Sequence, residues 1–288
     1  MLRPFEIHEP ATVTAASRLL AYYGDEAAVY AGGTELLPVM KEGLAHYPHL
    51  VNIKTIAGLE SIAFHQGILR IGALATHRQI ERSPVVRERL PLLGQVACGV
   101  ANLRVRIAGT LGGNLCFAEP HSDPAAVLVA SGATLVLARD AEERRVSAEA
   151  FFTGILQTVR LPDEILTGVE VPDPGPGVGA AYHRFALHER PIAGVAAVLA
   201  VHEGIITRAC LVVGSVGPIP ARIAEAEAGL IGQAPAGSVL SAAAEAAGRH
   251  ADVLEDLYGS VDYKRHIVAV MARRALKEAA ARGHVEAT

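Results

Sequence analysis

Ala31-Gly32-Gly33-Thr34-Glu35-Leu36-Leu37 stands where a short apolar run, residues 27–31, gives way to a candidate helix over residues 35–43. Glycines at such a strand-to-helix junction let backbone N–H groups approach a phosphate. Thr34 adds a hydroxyl, which can also cap the helix. A second stretch, Gly109-Thr110-Leu111-Gly112-Gly113-Asn114, again pairs glycines with a hydroxyl and an amide. Each stretch is equally readable as a tight turn. Two of them in one α/β region point to the two phosphates of a dinucleotide, held from opposite sides.

Around the first stretch the pattern predicts a helix over residues 12–23, with Thr12 or Thr14 as cap and Gly24 as stop, and a short strand over residues 51–53. Strands over 62–64 and 69–71 flank a Gln66-Gly67 turn. Thr76 begins a helix reaching about Glu81, a further helix covers 91–102, and residues 104–113 read as a glycine-bearing loop. Asp123 opens another helix with Pro124 at its first position, and Gly132 ends it. Strands are expected over 134–137 and 165–171. Pro172-Asp173-Pro174-Gly175-Pro176-Gly177 then breaks any regular structure, and a domain boundary belongs there. Beyond it come strands over 196–201 and 209–213, a helix over 241–249, and a last helix with Tyr263, Ile267, Val270 and Met271 on one face.

Composition narrows the function. Lys and Arg number 26 against 30 Asp and Glu, a net charge of −4, so no basic surplus invites nucleic acid. Hydrophobic residues make up 51% and charged residues 19%, enough apolar content to build a core. The three cysteines, Cys98, Cys116 and Cys210, form no CxxC pair, which leaves a zinc ribbon or a four-cysteine cluster unsupported. The opening MLRPFEIHEP lacks the apolar stretch of a leader, and the run 192–201 falls short of the ~20 residues that span a bilayer. A cytoplasmic protein without a transmembrane segment is expected.

Other motifs carry less. Asp123 before Pro124 is a common helix start. Ten residues past Gly113, it can also bind the hydroxyls of a ribose or ribityl chain. Gly175-Pro176-Gly177-Val178-Gly179-Ala180 matches GxGxxA on paper, but its prolines favour a linker over a nicotinamide-nucleotide fingerprint. His46 and His49 are spaced as HxxH around a proline, without the glutamate of a metalloprotease helix. No acid/base pair announces itself.

Taken in order, the blocks resemble the FAD-binding (medium) subunit of the molybdenum hydroxylases, the family of carbon monoxide dehydrogenase medium subunits and of xanthine dehydrogenase flavin domains. The blocks are Tyr30 to Pro38 with Met40-Lys41, Ile71 to His77, Arg104-Val105-Arg106 through Leu115, Ser122-Asp123-Pro124, Phe151 to Gly154, Asp163 to Leu166, Tyr182 to Phe185, and Asp262 to His266. The resemblance spans nearly the whole chain.

It implies an α+β protein: a two-lobed, vanillyl-alcohol-oxidase-like FAD domain over 1–172 (lobes about 1–56 and 57–172), then a small α+β domain over 178–288 with an antiparallel sheet. Ala31, Gly32, Gly33, Thr34, Glu35, Leu36 and Leu37, with Thr110, Leu111, Gly112, Gly113 and Asn114, would cradle the FAD pyrophosphate. Asp123 would bind sugar or ribityl hydroxyls, Thr76 would sit near the cofactor, and Arg184, where many members carry Lys, would place a cation near the flavin. Ile107 and Ala108 depart from an Asn-Arg pair common in the family. No counterpart of the flavin-covering aromatic stands near Val100.

The resemblance further implies partners: a large subunit holding the molybdenum cofactor, where substrate is hydroxylated, and a small subunit with two [2Fe–2S] clusters, in a dimer of heterotrimers. Three unpatterned cysteines set the chain apart from the hydroxybenzoyl-CoA reductase branch, whose flavin subunit carries an inserted cluster. Three readings compete with an electron-transfer subunit. A stand-alone FAD-dependent oxidase would need a base over the flavin. A flavin-free assembly scaffold would have no use for two glycine loops. A nicotinamide-dependent enzyme rests only on Gly175 to Ala180.

Overall fold

The computed structural model describes residues 2–285. The fold is α+β, and its Cα packing groups it into two units, residues 1–117 with 134–171 and residues 118–133 with 172–288.

The first unit begins with a three-stranded parallel sheet. Its central strand, His49–Asn52, is flanked by Glu6–His8 and Ala27–Tyr30. The helix Val13–Tyr23 is capped as the sequence predicts: the Thr12 hydroxyl accepts from the Ala15 N–H, and Gly24 stops the helix at φ +53°. Ala16 and Leu20 on that helix close over Val51, with Ile53, Ile56, Leu59, Leu74 and Ile165 in the same apolar cluster. A second sheet of the unit orders its strands as Ile62–His65, Ile68–Gly72, Ile165–Pro172, Thr134–Arg139 and Glu142–Ser147. The edge strand Glu142–Ser147 has no apolar alternation. It is held by cross-strand charge, Arg144 to the buried Glu164 at 2.5 Å and Arg145 to Glu170 at 3.1 Å. Hydrophobic periodicity cannot reveal such a strand.

Residues 104–113 differ from the expected loop. They contribute to two short helices, Leu103–Ala108 and Leu111–Phe117, separated only by Gly109-Thr110. The Asn102 carboxamide accepts from the Arg104 and Val105 N–H groups and starts the first. Glycine-rich composition argues against the second helix, but hydrogen bonds to a neighbouring segment override propensity there.

The second unit is an antiparallel sheet, Val178–Phe185, Ala193–His202, Ile205–Gly214 and Ala221–Arg222. The helices Gly237–His250 and Val261–Val285 cover it through an alanine-rich core. Asp123–Ala130 is buried along its entire length and belongs to this unit by its packing, with Ala126 against Gly214. One alternative is ruled out here and one expectation fails. Gly175 to Ala180 starts no helix: Gly175 and Gly177 adopt φ +78° and +72°, and the chain enters the strand Val178–Phe185. The nicotinamide fingerprint is thereby excluded. The inner face of the last helix carries Lys264, Val268, Met271, Ala272, Ala275, Leu276 and Ala279, while Tyr263 is exposed. Burial of Lys264 is tolerated because its Nζ meets Asp256 at 2.7 Å and the Leu254 carbonyl at 2.9 Å, an ion pair that periodicity does not register.

Small residues let that last helix press on the sheet. A Cβ at Gly179 would fall inside the Ala279 carbonyl and against the Gly283 amide. Gly179→Ala is therefore expected to cost at least about 2 kcal/mol. Gly237→Ala, in open space at a helix start, should change stability by less than about 0.5 kcal/mol. Urea midpoints of the two variants check both values.

Candidate functional site

In the first unit the two glycine segments meet. A Cβ on Gly32 would overlap the Ala108 carbonyl, and one on Gly109 would lie 3.1 Å from the Thr34 hydroxyl. Gly33 turns the chain at φ +70°, and a Cβ there would strike Tyr30 and press on Leu37. Only glycine satisfies both demands: backbone-to-backbone approach at 32 and left-handed geometry at 33.

Hydrogen bonding distinguishes the segments. Among the described residues, the N–H groups of Gly32, Gly33 and Thr34 donate to no protein acceptor, and neither does the half-buried Thr34 hydroxyl. The expected Thr34 cap does not form: the helix Leu36–Lys41 starts after Glu35 with no side-chain cap. Three successive open amides and a hydroxyl on one turn form a donor set that suits a phosphate. In the second segment the Thr110 N–H is likewise without a protein acceptor among the described residues, but the four amides after it are bonded. Leu111 N–H donates to the Ala75 carbonyl at 2.9 Å and Gly112 N–H to that of Ala73 at 2.8 Å. Gly113 N–H donates to the Thr110 hydroxyl at 3.0 Å, and Asn114 N–H to the Thr110 carbonyl at 3.0 Å. A Cβ at Gly112 would strike Ala73. This segment clamps residues 73–76 and props the first turn.

Thr76 is part of that clamp. It bridges to Thr110 and caps the helix His77–Arg82 in a reciprocal capping box with Gln79. His77 N–H donates to the Gly109 carbonyl at 3.1 Å. Ala31, Glu35 and Leu36 flank the open amides. Ile107 is exposed, and Ala108 presents its carbonyl to Gly32, which is how this chain packs without the Asn-Arg pair.

In the second unit, Ser122 rather than Asp123 takes the cap position, and Asp123 lies inside the first turn at 5% exposure. Its two oxygens are both engaged. Tyr182 Oη donates a short hydrogen bond to one, and Arg184 Nη1 reaches the other at 2.6 Å. Burial pushes the Asp123 carboxyl above its ordinary range, and the Tyr182 and Arg184 contacts pull against that rise. Tyr182 was not singled out from sequence. Its signal is strand alternation, since residues 182 and 184 share a face of Val178–Phe185. Gly194 gives the phenol room, because a Cβ there would overlap its hydroxyl. The preceding loop is tied by His121 Nδ1 to Glu119 at 2.8 Å, with Arg190 3.4 Å from the same carboxylate.

Comparison with known proteins gives a consistent picture. Residues 3–174 match the family described as the FAD-binding domain in molybdopterin dehydrogenase, and residues 181–279 match the CO dehydrogenase flavoprotein C-terminal domain. The carbon monoxide dehydrogenase medium chain of Hydrogenophaga pseudoflava is 34% identical over 280 residues, covering 96% of this chain and 98% of that one. Caffeine dehydrogenase subunit beta of Pseudomonas sp. strain CBB1 is 30% identical over 96% of this chain and 95% of its own length. Among solved structures, the Hydrogenophaga pseudoflava carbon monoxide dehydrogenase superposes with TM-score 0.95 at 34% identity, covering 98% of this chain and 99% of that chain. Quinoline 2-oxidoreductase from Pseudomonas putida 86 superposes with TM-score 0.92 at 29% identity, covering 98% of both chains. No helix of the described residues is long and apolar enough to cross a membrane.

His77, directly behind the clamp, supplies a pH test. Its ring is 2% exposed with Nδ1 unbonded. Burial, aided by the Arg106 charge, lowers its pKa from the usual 6.5 to about 4. The unfolded chain takes up this proton near pH 6.5 and the folded chain only near pH 4, so stability falls as pH drops through that window. Relative to His77→Leu, the native chain should lose roughly 3 kcal/mol from above that window to below it. Denaturation curves of the two proteins at stepped pH measure the difference.

Proposed function

The chain belongs to the family of FAD-binding medium subunits of the molybdenum hydroxylases, and we propose that it is the electron-transfer flavoprotein of such a complex. In this reading it receives electrons from the [2Fe–2S] clusters of a small partner subunit and passes them to an external acceptor. Substrate is hydroxylated at the molybdenum cofactor of a large partner subunit. Two copies of each subunit form a dimer of heterotrimers. Its relatives support the wider setting, since they are chains and subunits of carbon monoxide, caffeine and 6-hydroxypseudooxynicotine dehydrogenases.

The observation that carries the cofactor assignment is the set of open donors at Gly32, Gly33 and Thr34. The FAD pyrophosphate is an anion of the right kind for them. Ala31, Glu35 and Leu36 complete that turn, and Thr76 with Thr110, Leu111, Gly112, Gly113 and Asn114 holds it in register. Asp123, with lone pairs that Tyr182 and Arg184 leave unused, would bind the sugar or ribityl hydroxyls. Arg184 would supply a positive charge near the flavin, partly offset by its contact with Asp123. Bound FAD supplies the capacity to take electrons singly and release them in pairs. The work of the chain is to hold the cofactor and to set its electrostatics.

The purified chain should carry one FAD, identified by mass after heat release, or take it up on titration. Thr34→Val removes one open donor without touching the core. It should raise the Kd for FAD about tenfold, equivalent to roughly 1.4 kcal/mol, with the urea midpoint unchanged. A folded chain that refuses added FAD overturns this reading and leaves the scaffold reading in its place.

A further inference from the structure

We propose that Glu6, His8 and His49 form a binding site for a first-row divalent transition metal, of which zinc is the representative. The three residues lie at the sheet end of the first unit, and nothing in the flavin reading employs them. His46-x-x-His49 looked like a lone sequence pair. The structure instead joins His49 to residues far earlier in the chain. Parallel pairing sets Glu6 beside His49, and the strand alternation returns His8 to the same face. His46 is exposed and has no part in the trio.

The geometry is close to that of a bound state. One donor atom from each residue falls within 4.8 Å of the other two. His8 Nε2 and His49 Nδ1 are 3.1 Å apart, and His49 Nδ1 is 3.7 Å from a Glu6 carboxylate oxygen. Tetrahedral zinc with bonds of about 2.0–2.1 Å to nitrogen separates its ligands by about 3.3 Å. The two imidazole nitrogens already stand near that spacing, and only the exposed Glu6 carboxylate must swing inward. Both rings are fixed from outside: Tyr23, the last residue of the helix Val13–Tyr23, stacks on His49 with centroids 3.8 Å apart and on His8 at 4.9 Å. Rings held in this way lose little freedom on ligation.

The donor chemistry selects the ion. Two imidazoles and one carboxylate suit zinc and its first-row neighbours, whereas calcium and magnesium prefer oxygen-only shells. Three protein ligands leave one position of a tetrahedron for water or an incoming group.

The test uses the full-length chain, stripped with a chelator and titrated with zinc by calorimetry. The expected result is one zinc per chain with a Kd of about 10 μM or tighter. His8→Ala and His49→Ala should each weaken binding at least about tenfold, Glu6→Gln should weaken it less, and His46→Ala should leave it unchanged. Flavin content and urea midpoint report the integrity of each variant. If either alanine variant fails to fold, His8→Gln and His49→Gln take their place. Affinity weaker than about 10 μM overturns the proposal. So does a tight site that survives both histidine substitutions.

Discussion

The first unit depends on one steric constraint: two backbone segments must touch where no side chain can stand. Gly32 lies on the Ala108 carbonyl, and Gly112 lies on Ala73. From those two contacts the rest follows. Close approach at Gly32 fixes the turn that leaves the Gly32, Gly33 and Thr34 amides open. Close approach at Gly112 brings its amide to the Ala73 carbonyl, which pins the segment running into Thr76 and His77. An ordered row of unbonded amides is unfavourable unless solvent or a ligand satisfies it. The fold braces that row by bonding the amides of residues 111–114 to Ala73, Ala75 and Thr110. The two glycine motifs look alike in sequence yet differ in bonding: among the described residues the first leaves three successive amides open, the second only that of Thr110.

The second unit solves a different problem, that of holding charge in a buried place. Asp123 is almost enclosed, and a carboxylate there is costly without partners. Tyr182 and Arg184, two residues apart on one strand, supply them. Lys264 with Asp256 repeats the logic on the last helix. In both cases the charged residue sits on an element whose apolar pattern alone would place it wrongly, and the partner explains the placement.

That difference marks how far the sequence could be read. The capped helix over residues 13–23, the strand before Gly32, the helix after Thr76 and the break at Pro172 all carry local signals: a hydroxyl, a glycine or a proline at the right offset. The order of the family blocks made the α+β architecture legible as well. What stayed hidden is non-local. The two short helices around Gly109-Thr110 form through bonds to Ala73 and Ala75, the charged edge strand Glu142–Ser147 through Arg144 and Arg145, and the buried face at Lys264 through Asp256. Residues 31–36 and 110–114 could be named as site candidates from their composition. Which of them keep free donors depends on tertiary hydrogen bonds, and no spacing rule reports those.

The ionisable groups that the fold perturbs bear on what kind of flavoprotein this is. A flavin oxidase acting alone on an organic substrate calls for a base with a tuned pKa within reach of the substrate. Here each strongly perturbed group answers to a structural cause. Asp123 is tied to Tyr182 and Arg184, Glu164 to Arg144, and Asp256 to Lys264. His77 is driven to about 4 by burial behind the clamp. Burial, opposed by the Arg160 charge, pushes the Cys116 thiol up to about 11, too high for a nucleophile at neutral pH. This distribution agrees with the proposed role, in which the chain holds a redox cofactor and bond-making belongs to another active site. A cofactor held, as proposed, by fixed backbone donors would need little rearrangement as its own charge changes.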